Sequence, residues 1–333
     1  MLWLAGLMGL LAAGTVGVLE LSATSQTGDA ESDNAQEQDP DEDANTVSNV
    51  LETLGLTLPD ADDSTTQGDD SAPEAIVGPG GAGTENDDVL SGTSASEDIL
   101  GGDGNDTLNG MGGDDSLHGG EGNDVLDGGD GNDTLFGNNS EDTVNGGAGN
   151  DSLQGSLGQD VVDGGDGVDA VHGGLDADTV SGGMGADSVF GGWGNDLVNG
   201  VEDDAATAAL DDIDDADFLN GGSGDDTIIA GNADIVTAGD GADDIVVGDW
   251  IEAGAAASIL DFNADDDNIL LVYDDAEDVP NITVQASPSD PTTAQVMMDG
   301  LAVANVFNAA DLAASDVVLM PLSIAQASGI APV

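Results

Sequence analysis

The sequence contains neither lysine nor arginine. It has 69 Asp plus Glu in 333 residues, which gives a formal net charge of −69. Self-repulsion of that charge opposes any compact state, and metal cations are the remaining counterions for so many carboxylates. Interfaces with nucleic acid, anionic membranes and phosphate groups rely on Lys and Arg. Their absence excludes those three classes of partner.

Cysteine is also absent, and aromatic residues make up 3% of the chain. The first absence excludes disulfides, thiolate catalysis and cysteine-based zinc sites. The second leaves few large side chains whose burial would offset the repulsion between carboxylates. The sequence therefore predicts a protein that folds only when it binds metal.

The N-terminal part of the chain falls into two segments. Residues 1–21 begin with an uncharged, apolar run over 1–19 that is long enough to span a membrane. The run lacks the basic residues that open a secretory signal, so a signal peptide and a membrane anchor both stay open. Residues 22–82 are acidic and rich in polar residues, a composition typical of a disordered linker.

A nine-residue repeat begins at Gly83 and governs the middle of the chain. Thirteen contiguous nonapeptides run to Asn199, and position 8 of each is Leu, Ile or Val. Two nonapeptides facing each other would close one coil and bury two aliphatic columns between parallel sheets, with strands about 4.8 Å apart. We expect each unit to supply a three-residue strand with one side chain pointing inward.

Glycine and aspartate occupy fixed positions in the repeat. Glycine dominates positions 1, 2 and 4, where it permits tight turns, and position 6 is Asp in every unit but one, which has Glu97. Position-6 carboxylates would stack in two rows and repel one another. A Ca²⁺ ion between them would remove that cost, because calcium accepts six to eight oxygens in flexible geometry.

This pattern resembles the RTX (repeats-in-toxin) family, whose consensus is GGxGxDxUx with U a large aliphatic residue. GGDGNDTLN at 101–109 and GGWGNDLVN at 191–199 carry the motif in full, and a degraded form continues from Asp217 to about 246. The resemblance implies a parallel β-roll that holds several Ca²⁺ ions through turn carbonyls and position-6 carboxylates. It also implies export by a type I secretion apparatus that reads a C-terminal signal.

Carried onto this sequence, the resemblance implies the following calcium ligands: Asp88, Asp106, Asp115, Asp124, Asp133, Asp142, Asp151, Asp160, Asp169, Asp178, Asp187, Asp196, Asp226 and Asp243. Several units depart from the consensus. Those at 83–91, 92–100 and 137–145 keep one glycine each, and the unit at 173–181 has Asp176 at position 4. We expect weaker sites in these four units.

The predicted fold class is all-β. A parallel β-roll covers 83–250 with an acidic insertion at about 200–216, and a C-terminal antiparallel β cap covers 251–333, where apolar and polar residues alternate. The cap would cover the open end of the repeat core. It would also contain the secretion signal that the family resemblance implies.

The sequence carries no HExxH, GxSxG or P-loop motif, so we predict no enzyme activity. The favoured function is an extracellular or cell-surface calcium-binding protein whose roll folds on Ca²⁺ after export. An adhesin or matrix element and an accessory part of an extracellular enzyme complex are the alternatives. The predicted partners are calcium ions, the type I secretion apparatus and, through residues 1–19, a membrane.

Overall fold

A computed structural model describes residues 75–77, 81–202, 212–276 and 278–330. The predicted hydrophobic segment at 1–21 and most of the predicted linker at 22–82 lie outside these residues. The regular secondary structure of the described residues is almost all β-strand, with one 3₁₀ helix (Ala314–Asp316) and one short α-helix, α1 (Leu322–Ala327). No described helix is long and apolar enough to cross a bilayer.

The strands, numbered in chain order, form two twelve-stranded sheets among the described residues. The first sheet contains, in spatial order, β1 (Ala75–Val77), β2 (Val89–Ser91), β4 (Thr107–Asn109), β6 (Val125–Asp130), β8 (Thr143–Ala148), β10 (Val161–Asp166), β12 (Thr179–Met184), β14 (Leu197–Asn199), β16 (Thr227–Ile229), β18 (Asp244–Gly248), β20 (Asn268–Tyr273) and β24 (Val317–Pro321). The second sheet contains β21 (Ile282–Ala286), β22 (Ala294–Met298), β23 (Leu301–Val306), β19 (Ala257–Ile259), β17 (Ile235–Asp240), β15 (Phe218–Ser223), β13 (Ser188–Trp193), β11 (Ala170–Leu175), β9 (Ser152–Leu157), β7 (Thr134–Asn139), β5 (Ser116–Glu121) and β3 (Asp98–Asp103).

Successive nonapeptides alternate between the two sheets, which confirms the predicted parallel β-roll. Each strand pairs in parallel with the strand two nonapeptides away, as Leu135 does with Leu153. The strands are longer than predicted, because most continue through positions 1 to 3 of the next nonapeptide. Gly102 and Gly120, for example, pair within the second sheet beyond the aliphatic position.

The position-8 side chains form the predicted core. All thirteen are at most 1% exposed. They are Leu90, Ile99, Leu108, Leu117, Leu126, Leu135, Val144, Leu153, Val162, Val171, Val180, Val189 and Val198. Leu219, Ile228, Val236 and Ile245 continue the same columns beyond the insertion. The core of the roll is therefore narrow, because each nonapeptide contributes a single large side chain.

The turn glycines act in two different ways. Gly102 at position 2 and Gly104 at position 4 have φ values of +120° and +116°, in the range that favours glycine. Position-1 glycines lie outside this range, and there the missing side chain makes room for a neighbour. A Cβ on Gly101 would lie 2.4 Å from Oδ2 of Asp106.

The roll continues across the predicted insertion without a break in strand order. Val189 pairs with Leu219, so the coil between these two residues contains the insertion. Leu219 pairs with Val236, and the coil between them is one residue shorter than a regular coil. The first strand, β1, lies upstream of Gly83 and pairs with β2. The roll thus begins inside the segment 22–82 that the sequence predicts to be disordered.

The C-terminal cap is mixed rather than wholly antiparallel. Strands β21, β22 and β23 are antiparallel, as predicted, and an Asp299-Gly300 turn with positive φ at both residues joins the last two. Strands β19, β20 and β24 instead extend the two parallel sheets of the roll. Alternating apolar residues specify a strand but not the direction of its partner.

Candidate metal centre

The carboxylates at position 6 are buried inside the roll. Those predicted as calcium ligands are at most 4% exposed. The turn formed by positions 1 to 5 holds each of them, directly before the strand that carries the aliphatic core residue. The nine-residue period therefore places carboxylates at regular intervals along the roll, each buried away from solvent.

Backbone hydrogen bonds tie these carboxylates into two rows. After the first member of each row, Oδ1 accepts a hydrogen bond from the N–H of the row member before it, as Asp106 accepts from Asp88 at 2.8 Å. The first row contains Asp88, Asp106, Asp124, Asp142, Asp160, Asp178, Asp196, Asp226, Asp243 and Asp267. The second row contains Glu97, Asp115, Asp133, Asp151, Asp169, Asp187, Asp217 and Asp234.

The other carboxylate oxygen distinguishes the interior of each row from its ends. Oδ2 of every interior member is buried and has no hydrogen-bond partner among the described residues. At the ends, protein groups donate to that oxygen. Thr84 N donates to Asp88 at 2.6 Å, and Asn263 N donates to Asp267 at 2.7 Å.

The second row shows the same contrast. Thr93 donates to Glu97 through its backbone N–H at 3.1 Å and its hydroxyl at 2.5 Å. At the other end, Gly231 N donates to Oδ2 of Asp234 at 2.6 Å. Because buried polar groups in folded proteins are nearly always satisfied, the unpartnered interior oxygens indicate a ligand that the protein does not itself supply.

Position-1 glycine leaves space beside most of the unpartnered row oxygens. A Cβ on Gly101 would also lie 2.4 Å from the carbonyl oxygen of Gly119 in the next coil, and a Cβ on Gly128 would lie 2.5 Å from that of Gly146. Carboxylate and carbonyl oxygens therefore converge on the same place. This all-oxygen donor set fits a hard cation of flexible coordination, as calcium is.

Burial changes the proton affinity of the rows. Desolvation raises the pKa of Asp142 and Asp178 to about 7 and that of Asp124 to about 6. Desolvation, together with the charge of Asp234, raises the pKa of Asp217 to about 9. Without a cation, these carboxylates are costly to keep ionised at neutral pH.

All the predicted ligands lie in the two rows. Asp88 differs from the others because the backbone N–H and the hydroxyl of Thr84 already donate to its carboxylate. The sequence reasoning missed Asp217 and Asp234 in the second row and Asp267 in the first. The insertion and the short coil break the nine-residue register, which hid them. An Asp two residues before a buried aliphatic residue, as in Asp217-Phe218-Leu219, is the signal that would have found them.

A parallel β-solenoid with two internal rows of carboxylates defines the class of this protein. The family model of the RTX calcium-binding nonapeptide repeat matches the chain in four copies, over residues 100–135, 136–171, 163–198 and 213–245. The repeat region therefore belongs to the RTX calcium-binding nonapeptide repeat family, as the resemblance predicted. A search of curated proteins finds no match to the chain.

Proposed function

We propose that this chain is a non-catalytic extracellular protein whose roll folds when it binds Ca²⁺ after export. The proposal rests on one observation. The end carboxylates of each row are satisfied by protein hydrogen bonds, whereas the interior ones keep a buried oxygen without a partner. A cation between the interior carboxylates would satisfy the oxygens that the protein leaves without a donor.

The ligands in this proposal are the interior carboxylates of both rows. They are Asp106, Asp124, Asp142, Asp160, Asp178, Asp196, Asp226 and Asp243 in the first row, and Asp115, Asp133, Asp151, Asp169, Asp187 and Asp217 in the second. Backbone carbonyls of the turns complete each shell. When bound, the ions supply the positive charge that a chain without Lys or Arg lacks.

Calcium concentration would then control where the protein folds. Extracellular calcium modules bind in the range of roughly 10⁻⁴ to 10⁻³ M, so they stay empty at cytosolic calcium levels. Binding of the ion to the native state alone stabilises that state and couples folding to arrival outside the cell. The export route in this proposal is a type I secretion apparatus, the route that the family resemblance implies.

A calcium titration followed by circular dichroism tests the folding switch. We expect the β signal to rise at millimolar Ca²⁺, to fall again on chelation and to respond only weakly to Mg²⁺, which prefers a rigid octahedral shell. A spectrum that Ca²⁺ and chelator leave unchanged would refute the proposal.

Two matched variants sharpen this titration. Asp151→Asn removes an interior carboxylate and should move the midpoint to a higher calcium concentration. Asp88→Asn removes the same charge at an end of a row, where Thr84 already donates to the side chain, and should leave the midpoint nearly unchanged. Equal midpoints for the two variants would contradict the assignment of ligands to the row interiors.

The location is tested separately by fractionating the producing cells. We expect the chain in the medium or on the cell surface. Recovery in the cytosol alone would contradict the extracellular part of the proposal while leaving calcium binding intact.

A further inference from the structure

The turn before Asp217 differs from every regular turn of the roll. Regular repeats fill positions 1 to 5 with a Gly-Gly-x-Gly-x pattern, whereas residues 212–216 read Asp-Ile-Asp-Asp-Ala. Asp187 N still donates to Oδ1 of Asp217 at 2.8 Å, so this glycine-free segment occupies the turn of the next coil. Asp214 holds position 3 of that turn.

The side chain of Asp214 replaces a backbone group in the stacking of the coils. One coil earlier, the N–H of Gly167 at position 4 donates to the carbonyl oxygen of Met184, at 2.7 Å. The equivalent N–H of Gly185 donates instead to Oδ1 of Asp214, at 2.5 Å. The backbone N–H of Asp215 donates to the same oxygen at 2.7 Å. The half-buried Asp214 is thus held firmly against the roll.

Asp214 is held beside two carboxylates of the second row. One carboxylate oxygen from each of Asp187, Asp214 and Asp217 lies within 4.8 Å of the others, and no second such trio occurs in the described ranges. Asp187 is 3% exposed and Asp217 is 2% exposed. Oδ2 of all three is buried without a hydrogen-bond partner among the described residues. Three carboxylates this close repel one another strongly unless a cation lies between them.

We propose that Asp187, Asp214 and Asp217 form a three-carboxylate Ca²⁺ site that joins the insertion to the roll. Asp187 and Asp217 are already a stacked pair of the second row, and Asp214 adds a third carboxylate that the repeat consensus does not supply. The proposal rests on the proposed function in requiring that the rows take calcium. A higher ligand charge raises calcium affinity. The site therefore fills before those between stacked pairs of row carboxylates.

A calcium titration in competition with a chromophoric chelator tests this proposal on the full chain. Asp214→Asn removes one ligand charge and keeps an oxygen that can accept from Gly185. The matched control, Asp215→Asn, removes the same charge from an exposed neighbour. We expect Asp214→Asn to lose the tightest calcium ion per chain and Asp215→Asn to retain it.

The outcomes separate this proposal from the one on which it rests. If wild type takes up no calcium, the proposed function fails. If wild type takes up calcium and Asp214→Asn binds the same number of ions with the same affinities, only the three-carboxylate site fails.

A second measurement avoids any dependence on how the variant folds. Crystals of the wild-type chain loaded with Tb³⁺ in place of Ca²⁺ should show an anomalous scattering peak between the three carboxylates. Peaks along the two rows with none beside Asp214 would overturn the proposal.

Discussion

The roll and the C-terminal cap are stabilised by different means. In the cap, aliphatic side chains from several strands form the core, and Ile269, Leu271 and Val296 are fully buried. Of the cap carboxylates that the structure describes, Asp267 at the end of the first row is buried, and the others are exposed or partly exposed. The exposed Asp275 accepts hydrogen bonds from the backbone N–H and the hydroxyl of Ser323, at 3.1 and 2.7 Å.

The roll has the opposite arrangement, with carboxylates inside and one large aliphatic side chain per nonapeptide. Burial of a Leu or Val contributes about 1.5–3 kcal/mol, and the same nonapeptide must keep a desolvated carboxylate in place. On these grounds we expect the roll to depend on a bound ion for stability and the cap to depend mainly on apolar contact.

The largest expected difference between the two regions comes from glycine. A Cβ on Gly149 in the roll, where φ is +144°, would lie 1.5 Å from the carbonyl oxygen of Gly131 in the neighbouring coil. Gly149→Ala should therefore cost about 3 kcal/mol or more, because the coils must separate to relieve the overlap. We expect a large increase in the calcium concentration at half-maximal β signal.

Gly300→Ala in the cap is the matched control. Gly300 also has a positive φ, +86°, but a Cβ there meets nothing within 4 Å. Only the backbone strain remains, which costs roughly 1–2 kcal/mol. A shift in the calcium midpoint as large as that of Gly149→Ala would show that stacking of the coils is not the cause.

The two regions should respond to pH with opposite signs in metal-free protein. Burial raises the pKa of row carboxyls such as Asp142 and Asp178 from 3.8 to about 7. A raised pKa in the folded state favours folding below pH 3.8, and this contribution is lost as the pH rises through about 7. Hydrogen bonds from Ser323 lower the pKa of Asp275, so its contribution is lost as the pH falls.

Chelated and desalted protein, followed by circular dichroism from pH 8 down to pH 4, measures this response. We expect the roll signal to increase on acidification without calcium. At saturating calcium the sign should reverse, because protonation then competes with the bound ions. A metal-free signal that stays flat or falls throughout this range would show that the row carboxyls are not desolvated in the folded state.

Periodicity is what made the roll predictable. Thirteen aliphatic residues at one position specify the core columns, and the acidic residue two positions before each, Asp in all units but one, specifies the carboxylate rows. The prediction failed where the register changed. Asp217 and Asp234 were missed because the insertion and the short coil shift them out of the nine-residue count, although both occupy the same place in three dimensions as their neighbours.

The roles of the turn residues could not be predicted from the sequence, because they depend on contacts between neighbouring coils. Gly101 needs no positive φ, and its role emerges only from the closeness of Asp106 and of Gly119 one coil away. The substituted units kept the fold for a related reason. Asn138 and Ser140 adopt positive φ values of 84° and 83° in place of glycine, because the neighbouring coils hold that backbone in place.

The smallest expected effect on the calcium midpoint comes from removing a charge in the cap. Asp275→Asn removes a charge that accepts two hydrogen bonds from Ser323 at an exposed site. Exposed substitutions of this kind change stability by about 0.5 kcal/mol or less. The calcium midpoint should match that of wild type, in contrast to Asp151→Asn in the roll. Ser323→Ala removes the hydroxyl partner of the same contact and should have an equally small effect. If Asp275→Asn moved the midpoint as far as Asp151→Asn, calcium would be stabilising the cap as well as the roll, and the division between the two regions would be wrong.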